Sequence, residues 1–209
     1  MSVSIYLYHV AYPDDTPVDR IPVIGSNVSL LTPEELGLMP GHRGQIKWMQ
    51  SPDALIYNLG EGFDPPAGAY TSMDANFDDV FTLFGYDVTP QPAAPGDAIT
   101  VTLYWRVGER PMPMPAPTRG QPLSAFVHMT GQDASQIQAQ YDGWRTALRG
   151  LEPGDVIVHR ATIDIPADQP PGRYPLRVGL YSPQSGERLS VVEDGVVSDH
   201  VQVGVVEVE

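Results

Sequence analysis

One run of oxygen-bearing side chains, Asp-Ala-Asn-Phe-Asp at residues 74–78, has the types and spacing that could bind an ion. A calcium loop begins this way, because oxygens at alternate positions converge on one cation. The match then ends, since Asp79 stands where such a loop needs glycine and Gly85 stands where it needs a bidentate glutamate. We therefore interpret residues 74–78 as a solvated strand entrance, with a calcium site of another kind as the less favoured alternative.

No other residues form a recognisable catalytic or metal-binding pattern. The five histidines are scattered without the close pairs that seed zinc sites, although strand register could bring two together, for instance His128 and His159. The sequence has neither a Gly-x-Ser-x-Gly elbow nor a phosphate-binding glycine loop. Its many carboxylates include no pair that stands out for glycoside hydrolysis. We predict no catalytic residues, no metal, no cofactor and no enzymatic activity.

The best candidate for recognition is the segment 140–145, which reads QYDGWR. Here Tyr141 and Trp144 flank an Asp-Gly turn, and an exposed aromatic face can stack on a sugar ring while Asp142 and Arg145 bond its hydroxyls. The alternative is that Trp144 folds over the end of the core as a lid. We favour the lid for Trp144 and keep the four residues as candidate ligand contacts.

Composition and charge exclude several partner classes. The formal net charge is −14 and Lys47 is the only lysine, so the chain lacks the clustered cations that nucleic acid requires. An anionic membrane surface would also repel it. No long apolar run and no basic N-terminal region are present, so we expect neither membrane insertion nor a signal peptide in this sequence. With no cysteine, disulfides and thiolate sites are excluded.

Two segments with strict alternation organise the predicted fold. In residues 170–183, Tyr174 begins a face of apolar side chains at every second position, between Pro-Gly and Ser-Pro turns. Placed after a Pro-Gly corner, its hydroxyl can bond upstream backbone as a tyrosine corner does. In residues 99–107 the inward positions end with Trp105 and Val107. We predict that Trp105 and Tyr174 share one interior.

Further strand patterns recur about every ten residues after Phe77, with turns of proline and glycine between them. The predicted strands are 80–88, 99–107, 123–129, 136–141, 156–165, 173–181, 188–192 and 200–208. The fold class is therefore all-β, an immunoglobulin-like antiparallel β-sandwich of seven to eight strands. Residues 73–209 form this sandwich, and residues 1–72 are an irregular N-terminal extension packed on it, with short strands at 3–10 and 54–59. Pro111 to Pro117 is predicted to be an exposed, stiff loop.

Short motifs in residues 77–209 resemble a known module in their order and spacing. They read FGYDV at 84–88, PGD at 95–97, LYW at 103–105, FVH at 126–128, QYDG at 140–143, PGDVI at 153–157, PGRY at 171–174, VGLY at 178–181 and GERL at 186–189. This set is similar to the immunoglobulin-like module at the C-terminal end of bacterial membrane glycosyltransferases related to the protein mannosyltransferases. The resemblance implies an extracytoplasmic domain of the bacterial cell envelope without known catalytic residues. The loop at 111–117 and residues 1–72 have no counterpart in it.

Three functions follow as hypotheses. The first is a non-catalytic accessory or interaction module of the cell envelope, with glycan or an envelope protein as its partner. The second is a protein-binding or inhibitor-like sandwich that uses an edge strand or the proline loop. The third and least favoured is a glycosidase or another hydrolase. Without an export signal in this sequence, a cytoplasmic location stays open.

Overall fold

The computed structural model of this protein describes residues 46–51, 54–57, 68, 70–112, 122–131, 133, 135–144, 148, 151–193 and 195–209, the first two ranges by their backbone. Within these residues the chain forms twelve strands and no helix. They are β1 (Ile46–Ser51), β2 (Ala54–Tyr57), β3 (Thr71–Phe77), β4 (Phe81–Thr89), β5 (Ala98–Val107), β6 (Ser124–Thr130), β7 (Ile137–Asp142), β8 (Val156–Asp164), β9 (Gly172–Tyr181), β10 (Val191–Glu193), β11 (Val196–Ser198) and β12 (Val201–Val208).

The described strands pair into two antiparallel sheets that face each other. The larger sheet has the order β1-β2-β8-β5-β4-β3-β10-β11, and the smaller has the order β12-β9-β6-β7. At the centre of the molecule, β4, β5 and β8 of the larger sheet oppose β7, β6, β9 and β12, so the all-β sandwich that the sequence predicts is present. The hairpins β1–β2 and β10–β11, together with β3, widen the larger sheet.

The two strands with the clearest alternation supply the centre of the core. In β9 the side chains of Tyr174, Leu176, Val178 and Leu180 are buried, as predicted, and in β5 Trp105 is fully buried. The Tyr174 hydroxyl donates a hydrogen bond to the carbonyl of Pro170 at 2.7 Å, which confirms the tyrosine corner. Trp105 and Tyr174 belong to the same cluster of buried residues. The predicted interior is therefore present.

The outward side of β5 is less open than its alternation suggests. Tyr104 points away from the core but is only 2 % exposed. The rings of Tyr70 and Phe84 lie against it, with centroids 5.0 and 6.0 Å away. Gly85 makes this close packing feasible, because a Cβ there would stand 2.2 Å from the Tyr70 ring. The outer face of the larger sheet therefore carries an aromatic layer of its own.

The N-terminal side of the predicted boundary also contributes to the larger sheet. β2 pairs with β8 along four residues, and β3 pairs with β4. The division predicted between residues 72 and 73 falls inside β3. The predicted strand at 54–59 is present over 54–57. The strand predicted at 3–10 and most of the loop predicted at 111–117 lie outside the described residues.

Backbone hydrogen bonds of Ala93, in the turn between β4 and β5, join the larger sheet to the end of β12 in the smaller sheet. The Ala93 amide donates to the Glu207 carbonyl at 2.9 Å, and the Glu209 amide donates to the Ala93 carbonyl at 3.1 Å. Ala93 thus forms a parallel bridge to Val208 beside β12.

No helix in the described part of the chain has the length and apolar character that a membrane crossing needs.

Candidate functional site

Trp144, the central residue of the predicted recognition segment, lies in the core. It is 2 % exposed, and its ring centroid is 5.4 Å from that of Trp105 and 5.2 Å from that of His159. Gly143 has a φ of 124° and its amide donates to the Ala125 carbonyl at 2.8 Å, which turns the chain inward after β7. Trp144 offers no open face to a sugar ring, which corrects the exposed-aromatic hypothesis for this residue. It is the lid on the core.

The other residues of this segment do not assemble a site around Trp144. Tyr141 is 9 % exposed, and its hydroxyl lies 3.3 Å from Nε2 of the buried His159. Asp142 is exposed on the end of β7. Arg145 lies outside the described residues. Of the described candidate contacts Tyr141, Asp142 and Trp144, only Asp142 is exposed to solvent.

Two histidines lie close together, but they are His128 and His200 and not the pair His128 and His159 that the sequence suggested. His159 points into the core, whereas His128 lies on the outer side of the smaller sheet, so these two do not meet. His128 instead shares a surface depression with His200.

The Asp-x-Asn-x-Asp run forms a strand and a turn. Asn76 Oδ1 accepts a hydrogen bond from the Asp79 amide at 2.7 Å, and Asp78 Oδ2 accepts one from the Ser190 amide at 3.3 Å. Asp78 and Asp79 take left-handed φ angles of 52° and 58° between β3 and β4. These contacts fix a turn, and no group of three potential ligands within the described residues is arranged to hold a metal.

The outer face of the smaller sheet contains a depression of about 220 Å³. Its lining combines cationic, hydroxyl and apolar side chains from β6, the start of β7 and the turn before it, β9, and the segments that flank β10 and β11: Phe126, His128, Thr130, Ser135, Ile137, Arg177, Arg188 and His200. We call this set the outer-face depression. It groups two arginines and two histidines, although the whole chain carries a formal net charge of −14.

Strand geometry explains why these side chains meet. In β6, Val127 and Met129 fill the core, so the alternate residues Phe126 and His128 must point outward. His128 pairs directly with Arg177 of β9, and side chains paired across neighbouring strands lie close together. Arg188 and His200 follow β9 in sequence and reach the same face from the segments that flank β10 and β11.

Gly179 makes room for the Phe126 ring at the centre of this face. A Cβ at Gly179 would lie 2.3 Å from the Phe126 ring and 2.9 Å from the Asp199 carbonyl. The Phe126 ring therefore lies on the strand where another residue would have a side chain. His128 stacks beside it, with ring centroids 4.5 Å apart.

The Arg188 guanidinium is held over the Phe126 ring. Its guanidinium carbon lies 4.6 Å from the Phe126 ring centroid, and Nη1 donates to Asp199 Oδ2 at 2.9 Å. The other Asp199 oxygen is 2.6 Å from Nδ1 of His200. One carboxylate therefore positions both an arginine and a histidine.

The pKa values of Asp199 and His128 in the depression are both lowered, which favours the charged form of the carboxylate and the neutral form of the imidazole. The hydrogen bond to His200 is the main reason that the pKa of Asp199 lies below its ordinary value, with Arg188 adding to the effect. Burial is the main reason that the pKa of His128 lies below its ordinary value, with Arg188, His200 and Arg177 adding to the shift and Asp142 opposing it. Asp199 therefore stays ionised to lower pH, and His128 is held in its neutral form until the solution becomes more acidic.

Nothing in the local sequence pattern singles out these residues as a group. A useful signal was present in β6, where Phe126 and His128 occupy the outward phase of a strand whose inward phase is already apolar. Large rings on the outward phase of a strand whose inward phase is apolar indicate a covered or functional outer face. Comparison with protein-family models finds none that matches this chain, and comparison with curated proteins likewise finds no match.

Proposed function

We propose that this chain is a non-catalytic interaction module of the bacterial cell envelope, and that it contacts glycan through the outer-face depression. The observation that supports this most directly is the convergence of Arg188, His128 and His200 on one concave surface. Arginine and imidazole N–H groups are directional donors for sugar hydroxyls and carboxylates. The apolar edge of Ile137 adds contact area for the face of a ring.

The size of the depression limits what it can hold. Its 220 Å³ is below the roughly 300–1,000 Å³ of pockets that enclose drug-sized ligands. We expect it to hold one residue or one substituent of a larger glycan, with the remainder of the ligand lying along the sheet. This suits a module that adds binding to another activity and performs no reaction itself.

The depression can be closed without disturbing the core. Ser135 is exposed at its rim, and a Ser135→Trp substitution would place an indole over the opening. Thr162→Trp is the matched control, because Thr162 is exposed on the larger sheet. We expect calorimetric titration with neutral and uronic-acid oligosaccharides to show saturable binding that Ser135→Trp abolishes and Thr162→Trp retains. Absence of binding, or equal binding by both variants, would exclude glycan recognition at this face.

A second candidate, a protein-binding sandwich, is supported by a different surface. The β10–β11 hairpin ends the larger sheet and exposes Val196 and Val197 by 67 % and 69 %. An apolar edge strand can pair with an extended segment of another protein. Co-purification of one stoichiometric protein that Val197→Asp releases, while Ser135→Trp does not, would favour this function over the first.

A further inference from the structure

We infer that the outer-face depression is an oxyanion site, with Arg188 as its anchor and a carboxylate or sulfate group as its ligand. This rests on the proposed function, because it names the chemical group that the same surface would recognise. A glycan bearing uronic acid or sulfate would present that group.

Two contacts hold the Arg188 side chain in a position to bind an anion. The Phe126 ring supports one face of the guanidinium at 4.6 Å, and Asp199 holds Nη1 at 2.9 Å. A guanidinium has five N–H donors in a fixed plane. For Arg188, the ion pair with Asp199 is its one hydrogen bond recorded in the described residues. Arg188 lines the depression, and these two contacts restrict the orientation of its guanidinium, which reduces the entropy lost when an anion binds.

The charges around this anchor favour an anion. His200, His128 and Arg177 line the depression. The carboxylates near it include Asp199, Asp142, and Asp133, which accepts hydrogen bonds from Ser135 at the rim. Both oxygens of Asp199 are already in contact with Arg188 and His200. Its charge is therefore largely directed at these two partners, while protonation of His128 would add positive charge.

Protonation of His128 makes the affinity depend on pH. The groups that face it are Asp142 at the end of β7, Arg177 of β9, and Arg188 and His200 from the later segments. Burial is the main factor that opposes its protonation, with Arg188, His200 and Arg177 adding to the effect. A bound anion would offset that opposition, so proton and anion binding are coupled favourably. We expect affinity to rise as pH falls from about 8 to about 5.

A titration with simple anions tests the site without a glycan. The full chain is followed by two-dimensional NMR during addition of sodium sulfate or sodium acetate, with sodium chloride at matched ionic strength as the reference. We expect saturable shifts confined to residues that line the depression. The anion that binds more tightly indicates whether sulfate or carboxylate is the preferred group.

Three arginine variants distinguish a specific anion site from a general effect of charge. Arg188→Gln should weaken binding by about tenfold or more, because a charge-assisted hydrogen bond contributes roughly 1.5–3 kcal/mol. Arg173→Gln removes the same charge from the outer side of the same sheet, where Arg173 pairs with Glu207 at 3.6 Å, and should leave affinity unchanged. Arg188→Lys keeps the charge without the planar fork and should give an intermediate affinity.

Each possible result either supports or overturns the oxyanion site. Saturable binding that Arg188→Gln weakens and Arg173→Gln retains supports the site, whereas diffuse shifts, or equal losses in these two variants, would overturn it. Neutral oligosaccharide binding that is sensitive to Ser135→Trp but insensitive to Arg188→Gln would overturn the oxyanion site and leave the proposed function standing. Anion binding without binding of any oligosaccharide would retain the site and remove glycan recognition.

Discussion

The hydroxyl of Tyr174 is hydrogen-bonded across a proline corner to the carbonyl of Pro170, at 2.7 Å. Its ring belongs to the core cluster, so one residue fastens the turn before β9 to the interior. Because Pro170 and Pro171 contribute no amide donors, the turn has few other hydrogen bonds to hold its shape.

Tyr174→Phe should destabilise the fold by about 0.5–1.5 kcal/mol, since it removes this bond and keeps the ring in place. Urea unfolding measures the difference. Tyr181→Phe removes a hydroxyl from the same strand, and the described residues include no hydrogen bond to that hydroxyl, so it should change stability less. Equal losses in the two variants would contradict a special role for the corner.

Gly179→Ala should disturb both stability and the outer-face depression. The new Cβ would meet the Phe126 ring and the Asp199 carbonyl, so the ring must leave its position beneath Arg188. We expect a loss of about 1–3 kcal/mol, as for other overpacked sites, together with weaker sulfate binding. Gly131→Ala is the control, because its nearest neighbour is the flexible end of Gln138 at 3.1 Å. Normal stability in Gly179→Ala would be inconsistent with the packing described here.

Trp144→Ala should cost about 3–5 kcal/mol, the range for emptying a large aromatic site in a core. Trp144→Phe should cost less, since the Trp144 indole N–H has no hydrogen-bond partner among the described residues. Any ligand binding that Trp144→Ala abolishes should return in Trp144→Phe once the protein is folded. Thermal unfolding and calorimetric titration of both variants check this. Loss of binding in a fully folded Trp144→Phe would show that the indole itself contacts ligand.

Tyr104 should make the fold sensitive to alkali. Burial, followed by the charges of Asp87 and Tyr70, raises the pKa of Tyr104 to about 12 from an ordinary value of 10.0. Between these values the unfolded chain loses the proton first, so the stability that this group contributes is present below pH 10 and is lost as pH rises. Tyr104→Phe should therefore show a shallower decline in urea stability above about pH 10. An unchanged alkaline decline would contradict the role assigned to Tyr104.

The strands that sequence alone predicts are those with a local period of two. In β5 and β9, each inward position is apolar and each end is marked by proline or glycine, so core and turns agree without knowledge of distant partners. β3 and β11 lacked this signal. β3 is rich in polar residues and is a strand because β4 and β10 pair with it, and β11 is a three-residue strand completing a hairpin.

The outer-face depression could not be predicted from local pattern because its members are far apart in sequence. His128 and Arg177 meet only through the register of β6 against β9, and Arg188 arrives through a later turn. The QYDGWR segment, by contrast, has a conspicuous composition. The positive φ of Gly143 directs its tryptophan inward, and an Asp-Gly turn can as easily face either way. Backbone direction, rather than residue type, decides which aromatic residues are buried.

The contacts of Ala93 with Glu207 and Glu209 have a consequence for aggregation. β12 is the end strand of its sheet, and unpaired backbone groups on such a strand are a template for association with other chains. Here Ala93 occupies those groups near the C-terminal end of β12, and the Gln91 side chain donates to the Val205 carbonyl at 3.1 Å. Intermolecular sheet growth at high protein concentration should therefore begin at one of the other end strands, β1, β7 or β11, and charged substitutions there would be the effective means of keeping the protein soluble.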